Sequence, residues 1–99
     1  MAKILVIDDE SKFRNIIKEE LLKEGHEVET AIDGEEGLGK VKEAAPDLII
    51  CDMKMPKMDG FEVLEVLRKK ENLNSPFIML TLIVDFDKIQ SAYEHEANF

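Results

Sequence analysis

The stretch "DLIICDMKMPKMDGFEVL", residues 47–64, decides the reading of this chain. Its first half is a short apolar run rich in β-branched residues, the mark of a strand that enters an interior. The run ends on an acid, Asp52. A Met-Lys-Met-Pro turn follows, then Gly60, and then Val63, Leu64 and Leu67 return at helical spacing. A carboxylate that closes a buried strand, with a sharp turn behind it, needs a reason.

Outward from this stretch the chain alternates. "KILVI" (3–7) is a second continuous apolar run and predicts a strand buried on both faces. "SKFRNIIKEELLKEG" (11–25) predicts a helix with Phe13, Ile16, Ile17 and Leu21 at helical spacing, Ser11 as N-cap and Gly25 as stop. "EVETA" (27–31) is shorter and more polar, as a sheet edge is. "DGEEGLGKVKEAAP" (33–46) reads as a helix opened by a capping box of Asp33 and Glu36, with Pro46 beyond its end. "FEVLEVLRKKE" (61–71) is a further helix and "PFIMLT" (76–81) a further buried strand. The last stretch carries Phe86, Ile89, Tyr93 and Ala97 at helical spacing. Four βα units with short connections predict an α/β fold, a doubly wound parallel sheet with helices on both faces.

Bulk properties narrow the function. The 99 residues suffice for one domain, and an apolar fraction of 44% suits a folded chain. A net charge of −9 argues against binding nucleic acid unaided. No apolar run reaches the roughly 18 residues of a membrane span, and the start, "MAKILVIDDES", lacks the pattern of a secretory leader. The single cysteine, Cys51, fits a reducing compartment, so a cytoplasmic location is expected. Cys51 faces away from Asp52 along the strand and reads as core. Met53, Met55 and Met58 read as gap-fillers, since thioether sulfur is a poor ligand for a hard ion. His26 and His95 read as surface residues.

In an open parallel sheet, functional groups gather beyond the carboxyl ends of the strands. Here those ends carry Asp8 and Asp9, then Asp52, then Thr81. A single such acid is usually only a helix cap. A pair with a third acid on another buried strand exceeds what capping needs. Clustered carboxylates resist joint ionisation unless a cation joins them, and a hard divalent ion, Mg²⁺, suits oxygen ligands beside phosphate chemistry. A strand-end carboxylate can attack phosphorus and form an acyl phosphate. Pro56 then fixes a dihedral of the turn behind it, and Gly60 supplies an unusual backbone at the entry to the next helix. Thr81 has a hydroxyl for a phosphoryl oxygen, or is simply a strand-end β-branched residue.

The motifs "ILVIDDE", "DLIICDMKMPKMDGFEVL" and "PFIMLT", in this order, resemble the receiver domain of bacterial two-component response regulators. The resemblance implies a flavodoxin-like receiver topology with strand order 2-1-3-4, Asp52 as phosphoacceptor, and Asp8, Asp9 and Asp52 as holders of Mg²⁺. It further implies the backbone carbonyl of Lys54 as a metal ligand, Thr81 as switch hydroxyl, and a sensor histidine kinase or phosphotransfer protein as donor. No turnover of external substrate is implied. Leu82 stands where the family has a small residue and is expected to narrow access to Asp52. The family's fifth strand and helix, with a lysine that contacts the phosphoryl group, have no counterpart in residues 1–99, and no output domain is visible. The expectation is a truncated receiver whose open edge, the stretch 76–80 from Pro76 to Leu80, pairs with another copy together with the helix 86–99. The alternative is that this self-associating fragment is impaired in signalling.

Overall fold

The computed structural model describes residues 1–70 and 76–80. Over these residues strands and helices alternate as β1 Lys3–Ile7, α1 Ser11–Lys23, β2 Glu27–Ala31, α2 Gly34–Ala44, β3 Leu48–Asp52, α3 Gly60–Glu65 and β4 Phe77–Leu80. All pairings are parallel, and the strand order is β2-β1-β3-β4. The expected flavodoxin-like order is therefore present. The sheet places the ends of β1 and β3 side by side, with Ile7 in register with Cys51. Asp8, just past the end of β1, and Asp52, the last residue of β3, thus meet at the carboxyl end of the sheet. The final predicted helix, 86–99, lies outside the described residues.

Side chains alternate across the sheet because successive Cβ atoms point to opposite faces. Leu5, Ile7, Ile49, Cys51, Phe77 and Met79 join Val41, Val63, Leu64 and Leu67 in one core beneath α2 and α3. The opposite face is more thinly covered among the described residues. There Ile4 and Val6 of β1 are buried, but β3 and β4 alternate buried with half-buried positions. The prediction of strands buried on both faces thus holds for β1 and is corrected for β3 and β4. The reason lies in α1, whose main contacts are with β1 and β2. That helix buries no residue fully, and Phe13 and Ile16 stay 44% and 53% exposed.

Helix ends show which local signals hold. Asp33 accepts the Glu36 N–H at 2.8 Å, and the Glu36 carboxylate accepts the Ile32 N–H at 2.9 Å. This is the predicted capping box, with its return bond moved one residue upstream. Ser11, in contrast, is the first helical residue and not the cap. Glu10 holds the cap position without a side-chain bond, and its N–H donates to Asp8 Oδ1. Gly25 has φ +88° and stops α1 as predicted. The helix predicted over 61–71 is α-helical only to Glu65 and continues as a π-helical turn, Val66–Lys70. His26 is not a simple surface residue, since its Nδ1 accepts the Ala2 N–H at 3.0 Å and ties down the start of the chain.

Candidate functional site

Asp8, Asp9 and Asp52 converge. Each offers a carboxylate oxygen, and these atoms lie within 4.8 Å of one another. Oxygens on opposite sides of Mg²⁺ would be about 4.2 Å apart, at roughly 2.1 Å per bond. The donor set is all hard oxygen, so the residues present fit such an ion. They differ in burial: Asp8 is 4% exposed, Asp52 is half-buried and Asp9 is exposed.

Hydrogen bonds fix the two inner acids. Asp8 donates its N–H to the Ala31 carbonyl at 3.1 Å, which extends the β1–β2 ladder by one residue. Its Oδ1 accepts the Glu10 N–H at 2.9 Å. Its main-chain carbonyl accepts a bond from Arg14 Nη1 at 2.8 Å. Asp52 Oδ1 accepts the Lys54 N–H at 3.3 Å. Neither acid caps a helix through its side chain, whereas Asp33 and Asp59 do. The capping explanation for Asp8 and Asp52 is thereby removed.

The electrostatics of Asp52 follow from this geometry. Burial raises its pKa first, and the Asp8 carboxylate raises it further. The Lys54 N–H pulls the other way, and Asp9 adds a smaller upward push. A carboxylate crowded by two others and partly removed from water holds charge at a cost, and a cation or a covalent cap relieves that cost.

The loop between β3 and α3 forms the wall behind Asp52. Met53 donates its N–H to the Leu80 carbonyl at 2.9 Å, and Gly60 donates to the Met53 carbonyl at 2.9 Å. The chain thus folds back onto the strand end. Gly60 is needed for space and not for an unusual backbone, which corrects the sequence expectation. A Cβ there would lie 2.7 Å from the Asp52 carbonyl oxygen and 2.9 Å from Met79 Sδ. The left-handed residue of the turn is Lys57, φ 70°, immediately after Pro56. Met53 and Met55 are buried and Met58 packs against the core, so all three fill space as expected. Cys51 is fully buried behind the site, and burial pushes its thiol pKa far up. Thr81 and Leu82 lie outside the described residues. Sequence reasoning passed over Arg14. A cation in the opening turns of a helix, against its dipole, was the available signal.

A family model described as "Response regulator receiver domain" matches residues 4–99. The chain belongs to this receiver-domain family. The receiver fold superimposes on the chemotaxis protein CheY4 of Vibrio cholerae with a TM-score of 0.92 at 38% identity, over 99% of this chain and 82% of that one. A receiver domain protein from Clostridium thermocellum gives a TM-score of 0.86 at 40% identity, over 98% of this chain and 78% of that one. Among curated relatives, the alkaline phosphatase synthesis transcriptional regulatory protein PhoP of Bacillus subtilis is 44% identical over 88 residues, 88% of this chain and 36% of that protein. The probable transcriptional regulator ycf27 of Porphyridium aerugineum is 46% identical over 83 residues, 84% of this chain and 34% of that protein. The receiver domain thus spans about a third of the length of the curated relatives it matches. No helix among the described residues is long and apolar enough to cross a membrane.

Proposed function

We propose that this receiver domain accepts a phosphoryl group on Asp52 from the phosphohistidine of a sensor histidine kinase or phosphotransfer protein. The observation that carries the reading is the convergence of Asp52 with Asp8 and Asp9 at the strand ends. Its support is the family membership and the absence of any capping role for Asp8 or Asp52.

An Asp52 carboxylate oxygen attacks phosphorus, an O–P bond forms, and the N–P bond to the donor imidazole breaks. The electron pair of that bond stays on the imidazole. The product is an acyl phosphate, which water later cleaves back to the carboxylate. The half-buried position of Asp52 limits the water that competes with the donor. Asp8, Asp9 and Asp52, with the Lys54 backbone carbonyl, would hold Mg²⁺. When bound, that ion offsets the charge on the transferring group. Asp8 stays oriented by its bond from Glu10, and Gly60 keeps the loop close to the Asp52 main chain. Thr81 is the switch hydroxyl in this reading, and Leu82 restricts access.

The reading includes a cytoplasmic location, no turnover of outside substrates and no unaided contact with nucleic acid, in keeping with the net charge of −9. It also includes self-association through the stretch 76–80 and the helix 86–99. Among the described residues β4 is the outermost strand on its side of the sheet, so its outer edge is a template for another chain. Labelling with a small phosphodonor tests the chemistry. The label is expected to need Mg²⁺, to be stripped by hydroxylamine as an acyl phosphate is, and to vanish with chelator. A label that forms equally well in chelator contradicts the metal-assisted reading.

A further inference from the structure

Arg14 has no part in the phosphoryl chemistry described above, yet its side chain ends at the site. It belongs to the early turns of α1, and its half-buried side chain reaches back to the end of β1. There Nη1 donates to the Asp8 carbonyl at 2.8 Å. That carbonyl is one half of the peptide group joining Asp8 to Asp9. A peptide group is planar and stiff, so an anchor on its oxygen sets the plane from which the Asp9 side chain departs.

The start of α1 depends on the same few bonds. Its cap, Glu10, makes no side-chain bond and its first turn holds no acid. Two side-chain bonds tie its start to the end of the strand: the Glu10 N–H on Asp8 Oδ1 and the Arg14 guanidinium on the Asp8 carbonyl. Both bonds end on Asp8, the buried member of the three acids. With its N–H held by the Ala31 carbonyl as well, Asp8 is fixed at its amide, its carbonyl and one carboxylate oxygen. Asp9 is exposed, and its direction is inherited from this anchored neighbour.

We infer that Arg14 is a positioning residue for the divalent-cation site: by holding the Asp8–Asp9 peptide it aims two carboxylates toward Asp52 before an ion arrives. The inference rests on the reading of these acids as a cation site. It also carries a distinctive sign. A guanidinium held on the Asp8 carbonyl disfavours a cation nearby on charge alone, so its removal should tighten binding if charge governs. Loss of the anchor should weaken binding if position governs.

The test uses the full 99-residue chain. Free Mn²⁺ is followed by electron paramagnetic resonance, and Mg²⁺ is titrated in competition. Arg14→Met keeps the aliphatic stem and loses both donor and charge. It is expected to weaken Mg²⁺ binding about tenfold, the lower end for residues that orient metal ligands. Arg14→Lys keeps the charge and one donor, all that a single bond to a carbonyl uses, and should stay within about threefold of the parent. Far-UV circular dichroism establishes that each variant is folded. Should Arg14→Met not fold, Arg14→Gln carries the same expected weakening. A variant with a lower melting temperature but an unchanged dissociation constant shows a merely structural role and overturns the inference. Tighter binding in Arg14→Met overturns it too. A parent chain that binds neither Mn²⁺ nor Mg²⁺ overturns the cation-site reading itself, and the role of Arg14 with it.

Discussion

Asp52 has a raised pKa chiefly through burial and then the Asp8 charge. The sign of the stability effect follows. An unfolded aspartate titrates near about 3.9, and folded Asp52 keeps its proton to higher pH. Below both values the group contributes nothing. As pH rises from the unfolded value through the folded one, the native state binds more protons than the unfolded state, and stability falls. Above the folded value the full cost is present. Asp52→Asn should therefore melt higher than the parent at pH 7.5 without metal. The gap should shrink as pH approaches 4, and thermal melts across this range measure it. Cys51, the preceding residue but on the other face of the strand, should resist thiol reagents until the chain is unfolded, because its thiolate is suppressed by burial. Titration with a disulfide reagent with and without denaturant checks this. The sequence made Asp8, Asp9 and Asp52 legible because strand-end position is set by periodicity alone. It could not show Arg14 at the Asp8 carbonyl, since that bond depends on how α1 is tilted against the sheet.

At the scale of elements, α2 offers a controlled comparison. Gly37 and Gly39 lie two positions apart on one helix and face opposite surroundings. A Cβ at Gly37 would lie 2.4 Å from Ile7 Cδ1 and 2.8 Å from its Cγ1, inside the core beneath the sheet. A Cβ at Gly39 would meet nothing within 4 Å. Gly37→Ala should cost about 1–3 kcal/mol through overpacking. Gly39→Ala should instead stabilise by about 0.5–1 kcal/mol through helix propensity. Urea unfolding of the two variants reads both signs. Gly60→Ala pushes on the Asp52 carbonyl and should lower phosphodonor labelling along with stability. The elements themselves were legible from apolar periodicity, and the Asp33–Glu36 cap from its spacing. Three details were not. The π-helical turn after Glu65, the thin cover over one face of β3 and β4, and the uncapped start at Glu10 all arise from tertiary packing, which a linear pattern does not encode. Gly60 shows the same limit: its presence was legible, but its reason is a close approach by Asp52 and Met79, not its own dihedral angle.

The whole molecule couples the acid cluster to stability. Asp52 holds its charge at a cost in this cluster, and an ion that binds there and not to the unfolded chain stabilises the fold. At ten times the dissociation constant the gain is about 1.4 kcal/mol, which raises the melting temperature of a domain of this size by several degrees. Asp9→Ala should remove most of the shift. An undiminished shift in that variant would place the ion elsewhere. Sedimentation at micromolar concentration tests pairing through the stretch 76–80, and a monomer at all concentrations argues against it. The most direct test of the central claim is intact mass spectrometry after exposure to a small phosphodonor with Mg²⁺, run on the parent and on Asp52→Asn. The account predicts one phosphoryl group on the parent and none on Asp52→Asn. An adduct of equal extent on Asp52→Asn, or no adduct on a folded parent that binds Mg²⁺, would contradict it.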